Sequence, residues 1–167
     1  MNIELIQSDI TLSAEQYICH QCNCVTNYAA GLAKRIFETF PYADIYSGRE
    51  NPRKIVPENE KPGNIIICGN GREQRYIINM MAQYFPGKPK YPNSQLDGFE
   101  VREKAFKECL NKISAIQNLK SIAFPKGIGC TLAGGYWDHY LKMIEEFSDK
   151  LPNVIVKLYQ YSSSKQI

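Results

Sequence analysis

The run from Ser121 to Phe147, SIAFPKGIGCTLAGGYWDHYLKMIEEF, constrains the fold more than any other part of the chain. Ile122 to Phe124 read as a short buried strand that stops at Pro125. A loop follows with glycines at 127, 129, 134 and 135, and then Trp137, Tyr140, Leu141, Ile144 and Phe147 recur at helical spacing. Strand, glycine loop and helix start together form a cradle for an anion. Glycine lets the backbone come close, and the free N–H groups of the first helical turn point at whatever sits there. A tight strand-to-helix turn that holds nothing is the alternative reading. The loop is no P-loop, because no Gly-Lys-Ser/Thr closes it, and it carries no GxGxxG dinucleotide fingerprint.

Taken in order, the chain repeats that pattern. Asn2 to Gln7 alternates as a first strand and ends at Ser8-Asp9, and Tyr17 to Cys22 reads as a second. Asn23 to Gly31 is a loop of small and polar residues. Leu32, Ala33, Ile36, Phe37 and Phe40 then form one helical face, stopped by Pro41. Residues 41–63 have prolines and charges without periodicity; a connector of that length covers a site or moves. Asn64 to Cys68 and Tyr76 to Ala82 bracket Asn70-Gly71, a hairpin signal. A second proline-rich loop, Phe85 to Phe99, precedes a helix carried by Val101, Ala105, Cys109, Leu110, Ile113 and Ile116 and reaching about Asn118. Val154 to Tyr159 makes a last strand, and residues 162–167 read as a frayed tail. About six strands and three long helices predict an α/β domain with a mixed sheet, spanning residues 1–161. In such sheets ligands sit beyond the carboxyl ends of the strands, so loops 23–31 and 126–135 flank one cleft.

Bulk properties exclude several classes. A formal net charge of +3 and no basic run interleaved with aromatics argue against a dedicated nucleic-acid binder. No apolar stretch reaches membrane-spanning length, and the N-terminus has no signal-peptide core, so a cytoplasmic protein with no membrane partner is expected. Cys19, Cys22 and Cys24 cluster with His20, but no second ligand pair exists and strand alternation splits Cys19 from His20, Cys22 and Cys24. Free thiols in a reducing compartment are the expectation, with no metal and no cofactor.

At this point the residues resemble the macrodomain family of ADP-ribose-binding modules, over nearly the whole chain. Ser8-Asp9-Ile10 is similar to the family's Gly-Asp-Ile element after the first strand. Ile18 to Asn23, followed by Ala29-Ala30-Gly31-Leu32-Ala33, is similar to its strand ending in asparagine and its first loop. Gly127 to Trp137 is similar to its second, diphosphate-holding loop. Within the family, His20-Gln21-Cys22-Asn23-Cys24 and the stretch from Glu145 to Gln160 most resemble the branch of the yeast ADP-ribose-1″-phosphate phosphatase. That branch also contains the terminal ADP-ribose glycohydrolase, whose Ile-Gly-Cys-Gly-Leu loop parallels Ile128 to Leu132.

The resemblance implies a three-layer α/β/α macrodomain with a mixed six-stranded sheet. Asp9 would accept from the adenine amine with the Ile10 backbone beside it. Ala30, Gly31 and Leu32 would hold the diphosphate from one side, and Gly129, Cys130, Thr131, Leu132 and Ala133 from the other. Asn23 would bond the distal ribose, Tyr136 would pack on it, and Tyr159 or Tyr161 would face the adenine, with ordinary packing as the alternative for each tyrosine. His20 would act there as a general acid or base, or else serve as a buried, hydrogen-bonded core histidine. The expected ligands are ADP-ribose, its 1″-phosphate or ester derivatives, and ADP-ribosylated macromolecules. The implied activity is removal of the terminal phosphate of ADP-ribose-1″-phosphate, with ADP-ribosyl ester hydrolysis or non-catalytic reading of ADP-ribose as alternatives. Gln83 and Ala133 stand where the glycohydrolases have their lysine and aspartate, which puts that chemistry in doubt here. Tyr91, in the second proline-rich loop, is expected to line the distal ribose end, and His139 to face solvent.

Overall fold

The computed structural model describes residues 3–161, so the tail expected at 162–167 lies outside the described residues. Six strands, β1 (Ile3–Gln7), β2 (Tyr17–Cys22), β3 (Ile65–Cys68), β4 (Tyr76–Met81), β5 (Ser121–Pro125) and β6 (Ile155–Gln160), join in one sheet. The order is β1-β6-β5-β2-β4-β3, with every neighbouring pair parallel except β3 and β4. Three helices pack on it: α1 (Gly31–Thr39), α2 (Phe99–Ser114) and α3 (Trp137–Asp149). This is the three-layer α/β/α arrangement with a mixed six-stranded sheet that the sequence predicts.

The central strands are apolar throughout because both of their faces are covered. Cys19, Ile78, Met80, Ile122 and Phe124 pack against Phe106, Cys109 and Ile113 of α2 and Tyr140 and Ile144 of α3. Ile18, Cys22, Ile77, Met81 and Ala123 point the other way, against Ile36 and Phe37 of α1. Alternation therefore sends Cys19 and Gln21 to one face of β2 and His20 and Cys22 to the other, as expected.

The asparagine-glycine signal between Cys68 and Tyr76 is borne out as an antiparallel hairpin of β3 and β4. Gly69 and Gly71 have φ of +104° and +77°, and the Asn70 side chain accepts from the Arg72 and Gln74 amides, so residues 69–75 close on the asparagine. Helix α2 stops at Ser114 rather than near Asn118. Ala115 and Ile116 donate three residues back, to Lys112 and Ile113, and Asn118 takes a φ of +61°, which an asparagine tolerates. Parallel pairing puts the carboxyl ends of β1, β2, β4, β5 and β6 at one edge of the molecule. The loops that leave these ends build the site.

Candidate functional site

A cleft of about 580 Å³ runs across those carboxyl ends, a size that suits a dinucleotide-sized ligand. The strand order sets its sequence of surfaces. At the β6 end it is lined by Ile10, Arg35, Tyr159, Gln160 and Tyr161; at β5 by Lys126 to Gly129; at β2 by Gln21 and Asn23; at β4 by Gln83, Pro86 and Gly87. The lining holds cations in Arg35 and Lys126, and among its described residues no carboxylate.

Two loops face each other across the middle. On one side α1 begins at Gly31, whose φ of +59° only glycine adopts cheaply, and Ala30 gives the helix no side-chain cap. Its first-turn amides are thus left to point outward. On the other, Gly127, Gly129 and Gly134 hold φ of +82°, +78° and +71°. The resulting turns consume the amides of Ile128, Cys130, Gly134 and Gly135, on the carbonyls of Pro125, Gly127, Thr131 and Gly129 respectively. Among the described residues no acceptor takes the amides of Gly129, Thr131, Leu132 or Ala133. The loops meet over the cleft: a Cβ on Gly31 would lie 2.8 Å from Leu132 Cδ1. Opposed rows of uncommitted N–H groups, with no acid beside them, make an anion clamp.

The individual residues fall as follows. Ile10, Ala30, Leu32, Gly129, Thr131, Leu132 and Ala133 line the cleft, and Gly31 sits at its rim beneath Leu132. Cys130 does not join them as expected: its amide is spent on Gly127 O and its thiol turns to Ile128 O. Asp9 stands behind Ile10, where one oxygen caps the 3-10 turn Ile10–Leu12 by accepting from the Thr11 amide and hydroxyl; Arg35 Nε lies 3.5 Å from the same oxygen. Tyr159 reaches the lining, its hydroxyl donating to Glu15, and burial with that carboxylate pushes its pKa up to about 12. Tyr136 is not brought to the cleft; its ring packs on Phe99 and His139, 5.3 and 5.4 Å away, because it caps the start of α3. Tyr91 likewise lies outside the lining, with Lys90 over its ring, and the second proline-rich loop contributes Pro86 and Gly87 instead. His139 is solvent-facing, paired with Glu103 at 2.9 Å.

Asn23 and His20 are both at the floor. Asn23 Oδ1 accepts from the Val25 and Thr26 amides and its Nδ2 donates to Thr26 Oγ1, so the side chain shapes the loop it begins. His20 is buried, with Nε2 2.6 Å from Asn79 Oδ1. Asn79 Nδ2 donates to Ile66 O, which leaves its Oδ1 to accept, so Nε2 carries the proton. Burial pushes the imidazole pKa down to about 4, against the pull of the Asn79 bond. The ring lines the cleft floor as a neutral donor, and its Nε2 proton is committed to Asn79 on the neighbouring strand.

That shift has a measurable consequence. Between pH 6.5 and 4 the unfolded histidine binds a proton that the folded one refuses, so this group's contribution to stability falls as pH drops through that window and is constant above it. The expected loss is about 3 kcal/mol. Urea unfolding at pH 7 and pH 4 should show wild type losing that much more than His20→Gln; parallel losses would refute the buried, neutral assignment.

Sequence reasoning missed the scaffolding. Loop 41–63 braces loop 23–28 from behind. The Tyr46 hydroxyl accepts from the Asn23 amide at 2.6 Å, Arg49 donates to Thr26 O, Arg53 donates to Cys24 O, and Glu60 joins both guanidiniums. Without periodicity, nothing in residues 41–63 announced this. On the far wall Asp97 accepts from the Tyr84 and Phe85 amides and is locked to buried Arg102, which also donates to Phe85 O and Gly87 O. Here a signal existed, since Phe99, Arg102, Phe106, Cys109 and Ile113 follow helical spacing and place Arg102 on the buried stripe.

No family model matches the sequence. Among curated proteins, an uncharacterized 17.5 kDa protein of the tk-vs intergenic region of Enterobacteria phage T4 is 26% identical over 169 residues, spanning 93% of this chain and 96% of that protein. Solved structures are similar over nearly the whole chain. The macrodomain of Mycobacterium tuberculosis DarG superposes with a TM-score of 0.69 at 17% identity, covering 96% of this chain and 98% of that one. The Trypanosoma brucei macrodomain in complex with ADP-ribose gives 0.63 at 14% identity, covering 99% and 66%. The fold is that of the macrodomains.

Proposed function

We propose that this chain binds ADP-ribose along the cleft and hydrolyses the group carried on its distal ribose, with ADP-ribose-1″-phosphate as the first substrate to test. The observation that carries the binding reading is the pair of opposed amide rows, Gly31 to Ala33 on one side and Gly129 with Thr131 to Ala133 on the other, in a lining whose described residues include no carboxylate. A diphosphate offers only acceptors and two negative charges, so it matches donors on both sides and needs no metal to neutralise it. In this reading the adenosine lies toward Ile10 and Tyr159, with Asp9 behind them, and the distal ribose toward Asn23 and Gln83, an assignment supported by the order of the strands along the cleft. The T. brucei macrodomain, which shares the fold, is in complex with ADP-ribose.

The hydrolytic part of the proposal gives His20 a positioning role. A neutral ring bonded to Asn79 supports the floor under Asn23, and polar groups of the cleft hold the water and the sugar. The natural substituent is a phosphate or an ester link to an ADP-ribosylated macromolecule, and the six free cysteines accord with a reducing, cytoplasmic setting.

Calorimetry on the wild-type chain should show ADP-ribose and ADP binding in the micromolar range, and absence of heat with both would overturn the assignment. Incubation with ADP-ribose-1″-phosphate and with an ADP-ribosylated glutamyl peptide, followed by mass, reads the reaction. Tight binding with both substrates intact would establish a reader module instead.

A further inference from the structure

We infer that Gln21 is a binding residue for a hydroxyl of the distal ribose and fixes the register of the ligand in the cleft. This rests on the ADP-ribose reading above and adds a side chain to it. The orientation of the Gln21 amide is determined by a relay. Phe85 O can only accept, so Gln83 Nε2 is the donor to it at 2.8 Å, which turns Gln83 Oε1 toward Gln21. Gln21 Nε2 must then be the donor to Gln83 Oε1, also at 2.8 Å. What is left of the Gln21 side chain is Oε1, which is buried and among the described residues has no hydrogen-bond partner.

That oxygen belongs to a cleft-lining residue and sits against the second loop, 3.0 Å from where a Cβ on Gly129 would stand. A buried acceptor without a donor costs free energy that a ligand hydroxyl recovers. The diphosphate cannot serve, because it has only acceptors and would be repelled. The distal ribose has hydroxyl donors, and Gln21 on β2, between the β5 loop and Gln83 on the β4 side, stands at the end of the cleft that the proposed reading gives to that ribose. An acceptor there rewards a sugar hydroxyl and rejects a phosphate oxygen. It therefore keeps the ligand from sliding along the amides, and Gln83 acts as the positioning residue that holds the acceptor in place.

The test is a calorimetric comparison of ADP-ribose, ADP, and 2″-deoxy- and 3″-deoxy-ADP-ribose on wild type and Gln21→Leu. Loss of the acceptor should weaken ADP-ribose about tenfold and leave ADP within about twofold. One of the two deoxy analogues should lose about the same factor on wild type and nothing further on the variant. Equal weakening of ADP and ADP-ribose would mark Gln21 as structural and overturn the inference; so would unchanged ADP-ribose affinity, or both analogues matching ADP-ribose on wild type. The analogue arm uses wild type alone, so it decides the matter even where Gln21→Leu folds poorly. Wild type that binds neither ADP-ribose nor ADP would instead refute the cleft assignment itself, and a proper split between those ligands separates the two failures.

Discussion

Arg102→Met is expected to cost about 3–5 kcal/mol of stability, which chemical denaturation should report as a large fall in midpoint and thermal unfolding as a drop of roughly 10 °C. The pair it breaks is among the least exposed in the molecule: the Arg102 side chain is 2% and the Asp97 side chain 8% exposed, with Nη2 and Oδ2 2.6 Å apart. Removing the guanidinium leaves a buried carboxylate facing only the Tyr84 and Phe85 amides. It also frees the carbonyl of Gly87 and leaves that of Phe85 with Gln83 as its remaining donor, and Gly87 with its neighbour Pro86 forms part of the cleft wall. Affinity for ADP-ribose should fall along with stability. A variant as stable as wild type to within about 0.5 kcal/mol would mean the pair is solvated and does not organise that wall.

Gly129→Ala should be the most damaging single change in the second loop, costing about 2–4 kcal/mol and at least tenfold in ADP-ribose affinity. Two independent causes add. The residue has a φ of +78°, which an L side chain rarely adopts. A Cβ would stand 2.5 Å from Tyr140 Cε2 and 3.0 Å from Gln21 Oε1. Tyr140 is buried against Phe106 in the core between α2 and α3, so it cannot swing away cheaply. Gly48, where an added Cβ meets nothing within 4 Å, supplies the control: Gly48→Ala should leave both stability and binding close to wild type. Similar behaviour of the two variants, measured by unfolding and by calorimetry, would show that the loop tolerates rearrangement.

The layered architecture was legible because its strands are apolar on both faces and its helices carry clear stripes; Ile77 to Ala82 and the series from Trp137 to Phe147 left little choice. The two glycine-bearing loops were legible for a related reason, since glycines at 31, 127 and 129 permit the left-handed backbone that the structure shows there. What could not be read were properties set by partners distant in sequence. The sequence left His20 open between an acid-base group and a buried, hydrogen-bonded core residue, and only Asn79, opposite it on the neighbouring strand, decides for the second. Cys130 lies in the middle of the loop, yet its amide closes a turn. Tyr136 ends the same loop, but packing on Phe99 takes its ring away from the ribose. Gln21 stood inside the His20 to Cys24 segment without a role of its own, because its hydrogen bonding depends on Gln83 and on Phe85 O, some sixty residues away.

The central claim, that backbone amides of two opposed loops hold the diphosphate, is tested most directly by an amide-resolved NMR titration of the labelled chain with ADP-ribose. Leu32, Ala33, Gly129, Thr131, Leu132 and Ala133 should shift together along one saturation curve, as donors acquiring a common charged acceptor. Shifts confined to another part of the surface, such as the groove between α2 and α3 lined by Lys107, Asn111, Met143 and Lys150, or no shifts at saturating ligand, would contradict it.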